Sequence, residues 1–228
     1  MLTRRSNPVW APWVAGVGVV AAGVLTYELV ARLSSGGLPA GIVPPRPSEA
    51  PFAKVKGSLS WPVRSKSSRV GEVGYVDVNG VTHGNASRRF GAVRPDGRQH
   101  AGVDLYGFAG DTVVAIADGV VVAIQGFNLG TDAMLVEHRG AVALYGEIDP
   151  HSWNEFGIGV GSRVKSGQPI ARIGCMVGSM QNCDSEMLHF ETYVPGTTEN
   201  HSWQTSPPAA LLDPTHLLLS ASTLEANT

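Results

Sequence analysis

T-V-V-A-I-A-D-G-V-V-V-A-I-Q, Thr112 to Gln125, decides the fold class. Two arms of β-branched and small apolar residues flank Asp118-Gly119, a dipeptide suited to the positive-φ positions of a tight turn. The stretch therefore predicts a hairpin. The same grammar recurs in Y-V-D-V-N-G-V-T-H (Tyr75–His83), with Asn79-Gly80 at its centre. It recurs again where A-M-L-V-E-H and A-V-A-L-Y flank Arg139-Gly140. R-V-K-S-G-Q-P-I-A-R-I-G (Arg163–Gly174) and L-H-F-E-T-Y-V (Leu188–Val194) add further strands. Helical periodicity is confined to the apolar N-terminal run. The expectation is an all-β, mostly antiparallel domain, a β-sandwich or half-open barrel with a surface groove.

The chain has 228 residues, 43% of them apolar, which leaves room for one core-bearing domain plus extensions. A net charge of -2, with no basic stripe and no RNA-binding motif, argues against a nucleic-acid partner. The 28 glycines and 15 prolines favour turns and short strands over long helices.

The N-terminus reads differently. Residues 1–8 carry Arg4 and Arg5, and Val9 to Val30 then runs 22 residues with one charge, Glu28. At 1.5 Å per residue that run reaches about 33 Å, enough for a bilayer core of about 30 Å. A cleaved signal peptide is the rival, but its apolar core is usually about 7–15 residues. The expectation is a transmembrane anchor over 9–33, with Trp10, Trp13 and Tyr27 at the interfaces and its helix in contact with membrane lipid. Arg4 and Arg5 favour a cytoplasmic N-terminus and a domain outside, in the periplasm or another cell envelope or virion membrane setting. Residues 34–51 hold five prolines and form a Pro-rich linker. The domain then occupies 52–228, with its core over 90–194.

R-Q-H-A-G-V-D-L-Y sets His100 and Asp104 four residues apart, and S-E-M-L-H-F-E contributes His189. Two imidazoles and a carboxylate suit zinc and leave a fourth position for water. H-x-x-x-D alone is a weak signal. His83, His138, His151, His201 and His216 lack comparable company and are expected to be surface or hydrogen-bonding residues.

Four motifs now stand in order: H-A-G-V-D-L, A-x-A-D-G-V-V, V-x-x-G-Q-x-I-A-x-I-G and L-H-F-E. Together they resemble the lysostaphin-type (LytM-like) zinc metallopeptidases, which cut peptide cross-links in bacterial peptidoglycan. The resemblance covers about Phe90 to Val194, with R-R-F-G-A-V-R (Arg88–Arg94) as its lead-in. It implies an antiparallel sandwich with an open groove, zinc held by His100, Asp104 and His189, and hydrolysis by a zinc-activated water.

The departures carry as much information. The family's Y-x-H reads Y-G-E here, placing Glu147 where a histidine helps activate water. The first histidine of its H-x-H is Met187. A similar variant branch combines Y-G-E, M-L-H-F-E and a D-P-T ending, as in Asp213-Pro214-Thr215. Glu147 suits a general base, with a strand-end carboxylate or a fourth ligand closing the site as alternatives. Tyr145 and Met187 are expected along the substrate groove, core packing being the plainer reading of the methionine. A thioether cannot donate a hydrogen bond, and losing one oxyanion donor typically costs about 2.7–4 kcal/mol. Two functions follow from the resemblance: a membrane-anchored zinc endopeptidase acting on cross-links, or an inactive domain that binds the wall or steers another wall hydrolase.

Cys175 and Cys183, eight apart, are expected to form a disulfide outside the cytoplasm and pin the loop beside the groove, free thiols being the alternative. V-K-S-G-Q-P-I-A-R-I-G also resembles the hammerhead of biotin and lipoyl carriers. No E-x-K or M-K-M tip accompanies it, which removes that role.

Overall fold

The computed structural model describes residues 59–225. Its strands are β1 (Val63–Arg64), β2 (Tyr75–Val76), β3 (Thr82–His83), β4 (Val103–Leu105), β5 (Thr112–Val114), β6 (Gly119–Gly126) and β7 (Asp132–His138). They continue with β8 (Ala141–Ile148), β9 (Arg163–Val164), β10 (Pro169–Arg172), β11 (Val177–Ser179), β12 (Asn182–Ser185), β13 (Leu188–Tyr193) and β14 (Leu211–Leu212), before helix α1 (Thr215–Glu225). The fold is thus mostly β and its pairings are antiparallel.

A seven-stranded sheet runs β14-β13-β8-β7-β6-β9, with β4 added on β13. A second sheet runs β1-β5-β10. Side chains alternate along a strand, so Met134 and Val136 of β7 join Tyr145 and Phe190 in a core shared with Val63, Val113 and Ile170 of the small sheet. Ala133 and Leu135 point the other way, into a second cluster with Leu144, Tyr193 and Leu211. Burial on both faces explains why β7 and β8 read as nearly continuous apolar text. The large sheet stays open; of the two expected architectures, barrel closure does not occur.

Two expected hairpins form. Asn79-Gly80 joins β2 to β3, pairing Tyr75 with His83, and Gly80 takes φ +80°. Arg139-Gly140 joins β7 to β8, pairing His138 with Ala141. The expected Asp118-Gly119 hairpin does not form. β5 pairs with β1 and β10, whereas β6 pairs with β7 and β9. Asp118-Gly119 therefore carries the chain from one sheet to the other. The reason is local: a Cβ on Gly119 would lie 2.7 Å from Glu137 O, so the glycine serves close strand approach. Asp118 accepts hydrogen bonds from Ser166 N (3.0 Å) and Lys165 Nζ (2.8 Å), which tie the crossover to the β9–β10 turn.

Cys175 and Cys183 are bonded, with Cα atoms 5.7 Å apart, and clasp the β11–β12 hairpin. Among the described residues no helix is long and apolar enough to cross a membrane. The expected anchor over 9–33 and linker over 34–51 lie outside the described residues.

Candidate metal centre and cleft

β4 and β13 are antiparallel neighbours that place Asp104 directly opposite His189. The approach is close because residue 102 is glycine. A Cβ there would lie 2.5 Å from Phe190 O and 2.9 Å from His189 Nε2. Just before β4, His100 is fixed through its backbone: its N–H donates to Ala92 O (2.9 Å) and its carbonyl accepts from Gly91 N (2.8 Å).

Three ligand atoms converge. Asp104 Oδ1 lies 2.9 Å from His100 Nε2 and 2.9 Å from His189 Nδ1, and the two imidazole nitrogens are 3.1 Å apart. All three residues are buried. Donors about 2.0–2.1 Å from a tetrahedral zinc would stand about 3.3 Å apart, so the group accommodates the ion with a slight expansion.

The outer groups suit metal binding as well. His100 Nδ1–H donates to Arg89 O (2.8 Å), which leaves Nε2 as the free lone pair. His189 Nε2 lies 2.8 Å from Glu191 Oε1, which turns Nδ1 inward. Tyr193 donates its hydroxyl hydrogen to Glu191 Oε2. Arg94 Nη2 donates to Asp104 Oδ2 (2.9 Å) and holds that carboxylate in place. A carboxylate or carbonyl behind each ligating imidazole is the usual second layer of a metal site.

Electrostatics follow from these contacts. Burial alone would raise Asp104, but hydrogen bonds from His100 and His189 outweigh it and hold the carboxyl well below the ordinary range. Burial alone would lower His189, yet Asp104 and Glu191 outweigh it and raise the imidazole well above its ordinary value. His100 is lowered, chiefly by burial.

Glu147 is the unusual group. Register pairs Tyr145 with Phe190 and Gly146 with His189, so simple alternation would send residue 147 to the core face with Tyr145. The β7–β8 ladder is irregular between Asp132 and Met134, and Glu147 adopts φ +61°. That left-handed kink re-aims the side chain into the cleft, at a cost of order 1–3 kcal/mol. Glu147 is 6% exposed and its Oε2 has no hydrogen-bond partner. Burial, with the Asp104 charge adding, pushes its carboxyl up to about 7 against the pull of His189. A strained, buried carboxyl with one oxygen left without a hydrogen bond marks a functional position more than a structural one.

The cleft above these residues has a volume of about 530 Å³. Phe127, Met176, Met187, His201 and Trp203 line it beside the ligands and Glu147. Tyr145 does not, contrary to expectation. It is fully buried on the opposite face of β8, where its hydroxyl accepts from Ile116 N (2.9 Å) and meets His138 Nε2 at 3.2 Å. His201, expected to be a surface or hydrogen-bonding residue, lines the cleft. Arg94, Glu191, Tyr193 and Phe127 had no role assigned from sequence. Glu191 and Tyr193 were legible in principle, because they follow His189 at steps of two along one strand face.

A buried His-Asp-His group with an adjacent carboxylate, set in a cleft, defines a candidate metallohydrolase centre. Residues 98–201 match the family model described as Peptidase family M23, and the chain carries an M23 peptidase domain. A search of curated proteins found no significant match. Similar solved structures include lysostaphin in solution, at 26% identity and TM-score 0.42, covering 58% of this chain and 49% of that one. A zinc-containing peptidase from Vibrio cholerae matches at 23% identity and TM-score 0.41, covering 60% and 37%. LytU matches at 23% identity and TM-score 0.42, covering 61% and 86%. This chain thus spans half or less of the first two. All three scores lie below 0.5, and the family assignment rests on the sequence match.

Proposed function

We propose that this chain is a zinc-dependent endopeptidase acting on the peptide cross-links of peptidoglycan, anchored by its N-terminal segment with the domain in the periplasm. One observation carries the reading: three candidate ligand atoms of buried residues, within 4.8 Å of one another, beside a buried carboxyl whose Oε2 has no hydrogen-bond partner. In this reading His100, Asp104 and His189 hold the metal. Zinc, when bound, would supply a Lewis acid that polarises the scissile carbonyl and acidifies water.

The chain's own residues do the rest. Glu147 Oε2 accepts a proton from the attacking water. The same carboxyl then delivers that proton to the departing amine nitrogen as the C–N bond breaks. Its elevated pKa suits both halves of that transfer near neutral pH. Arg94 and Glu191 keep Asp104 and His189 in position. The Phe127 ring packs 5.6 Å from the His189 ring and forms an apolar wall on that side of the site.

The test uses the zinc-loaded full chain in detergent, cross-linked muropeptides and mass spectrometry, with His189→Ala and Glu147→Gln alongside. New single stems that disappear with both variants support the reading. Absence of cleavage with stoichiometric zinc retained would instead favour a wall-binding module that steers another hydrolase, the reading that Met187 supports. Topology is checked separately: a C-terminal reporter active only in the cytoplasm would overturn the periplasmic placement.

A further inference from the structure

The short segment Asn200–Trp203 belongs to the connection between β13 and β14, yet it is stitched down at three points. Gln125 Nε2 donates to Asn200 Oδ1 (2.8 Å), His201 N donates to the Tyr193 hydroxyl (3.0 Å), and Gln99 N donates to Trp203 O (2.9 Å). The Trp203 ring also packs on Phe90 at 5.1 Å. The middle tether is the informative one. Tyr193 accepts from His201 and donates to Glu191, and Glu191 in turn holds His189. One hydrogen-bond chain therefore links the cleft wall to the ligand, and it fixes the backbone of His201.

Several of the cleft's other donors are committed, although the Gln99 side-chain amide is not. Arg94 serves Ser87 O and Asp104. Arg98 Nε serves Asp96, and Asn128 Nδ2 serves Met176 Sδ at 3.7 Å. Trp203 Nε1 is sealed from the surface. The imidazole of His201 lines the cleft half-buried, packed edge-on against the Tyr193 ring at 5.6 Å, and its ring nitrogens engage no partner among the described residues. Met187, which faces the same cleft, cannot donate at all.

We propose that the His201 imidazole is the hydrogen-bond donor to the scissile amide carbonyl, supplying from the β13–β14 connection what Met187 cannot supply from the edge of β13. This rests on the endopeptidase reading. It makes His201 a catalytic residue whose donor meets the oxygen as negative charge develops there.

The experiment compares the zinc-loaded full chain with His201→Phe, which keeps the ring packing and removes the donor, and with Gln99→Ala as the neighbouring free amide. Removing one such donor lowers kcat by about 100-fold or more, with KM and zinc content unchanged. A second arm measures binding of a phosphinic peptide analogue by calorimetry, and needs no turnover. His201→Phe is expected to weaken that binding at least tenfold while Gln99→Ala does not. Equal kcat and equal analogue binding in His201→Phe would overturn the proposal, as would a larger loss in Gln99→Ala or loss of zinc from His201→Phe. A wild-type chain that binds the analogue through His201 but cleaves nothing would overturn the endopeptidase reading alone.

Discussion

Glu191 Oε1 lies 2.8 Å from His189 Nε2, and this pairing determines that Nδ1 is the ring nitrogen offered to Asp104 and His100. Without the carboxylate the imidazole is free to rotate or change tautomer. Glu191→Ala is expected to weaken zinc binding about 10–100-fold, as loss of such outer partners does elsewhere. Glu191→Gln, which can still accept from Nε2–H, should lose less. Competition against a chromophoric chelator measures both, and equal affinities for wild type and Glu191→Ala would remove Glu191 from the site.

Gly102 supports the same geometry sterically. An added Cβ would stand 2.5 Å from Phe190 O, a backbone atom that cannot step aside without moving β13. Gly102→Ala is expected to cost about 1–3 kcal/mol of stability and to reduce zinc affinity together with it. Denaturant unfolding and metal titration report the two effects. A variant with wild-type stability and affinity would show that β4 and β13 tolerate separation.

Glu147 predicts a pH dependence of the metal-free chain. Burial is the main cause that pushes its folded pKa up from the ordinary 4.5 to about 7. The stabilising contribution of the neutral form is complete below the unfolded value and is lost as pH rises through the folded value. Metal-free wild type should therefore lose stability between about pH 4.5 and 7, on the order of 3 kcal/mol from this group. Glu147→Gln should be flatter across that window and more stable than wild type at pH 8. Parallel urea curves for the two proteins at pH 5 and pH 8 would contradict this.

The Cys175–Cys183 bond closes a short loop, with a sequence separation of 8. Closure of so small a loop contributes about 2–3 kcal/mol on chain-entropy grounds. The double Cys→Ser variant should unfold at correspondingly lower urea. Met176, next to Cys175, lines the cleft, so the variant should also alter substrate KM more than kcat. An unchanged KM would confine the disulfide to stability.

The convergence of His100, Asp104 and His189 was legible because each sits in a motif whose residue types suit a metal. So were the hairpins at Gly80 and Gly140, which need their positive φ. Asp118-Gly119 misled because the same dipeptide serves here for close approach between strands. Tyr145 misled in a related way. Adjacent motif letters suggested one shared groove, whereas strand alternation sends Tyr145 inward and only the kink at Glu147 sends the next motif residue out. Asn200–Trp203 left no trace in the sequence pattern, since its placement depends on side-chain tethers with no fixed period.

The crossover at Asp118-Gly119 also bears on how the protein is made. β5 does not pair with the strand that follows it, and Val63 and Ala171, the partners of Val113, lie 50 and 58 residues away along the chain. The small sheet must therefore wait for Pro169–Arg172 before it can close, long after Thr112–Val114 has been synthesised. Such non-local pairing makes assembly slow and leaves apolar strands uncovered in the interval. A nascent chain ending before Pro169 is expected to stay protease-sensitive along its length, with resistance arriving only once the distant strand emerges.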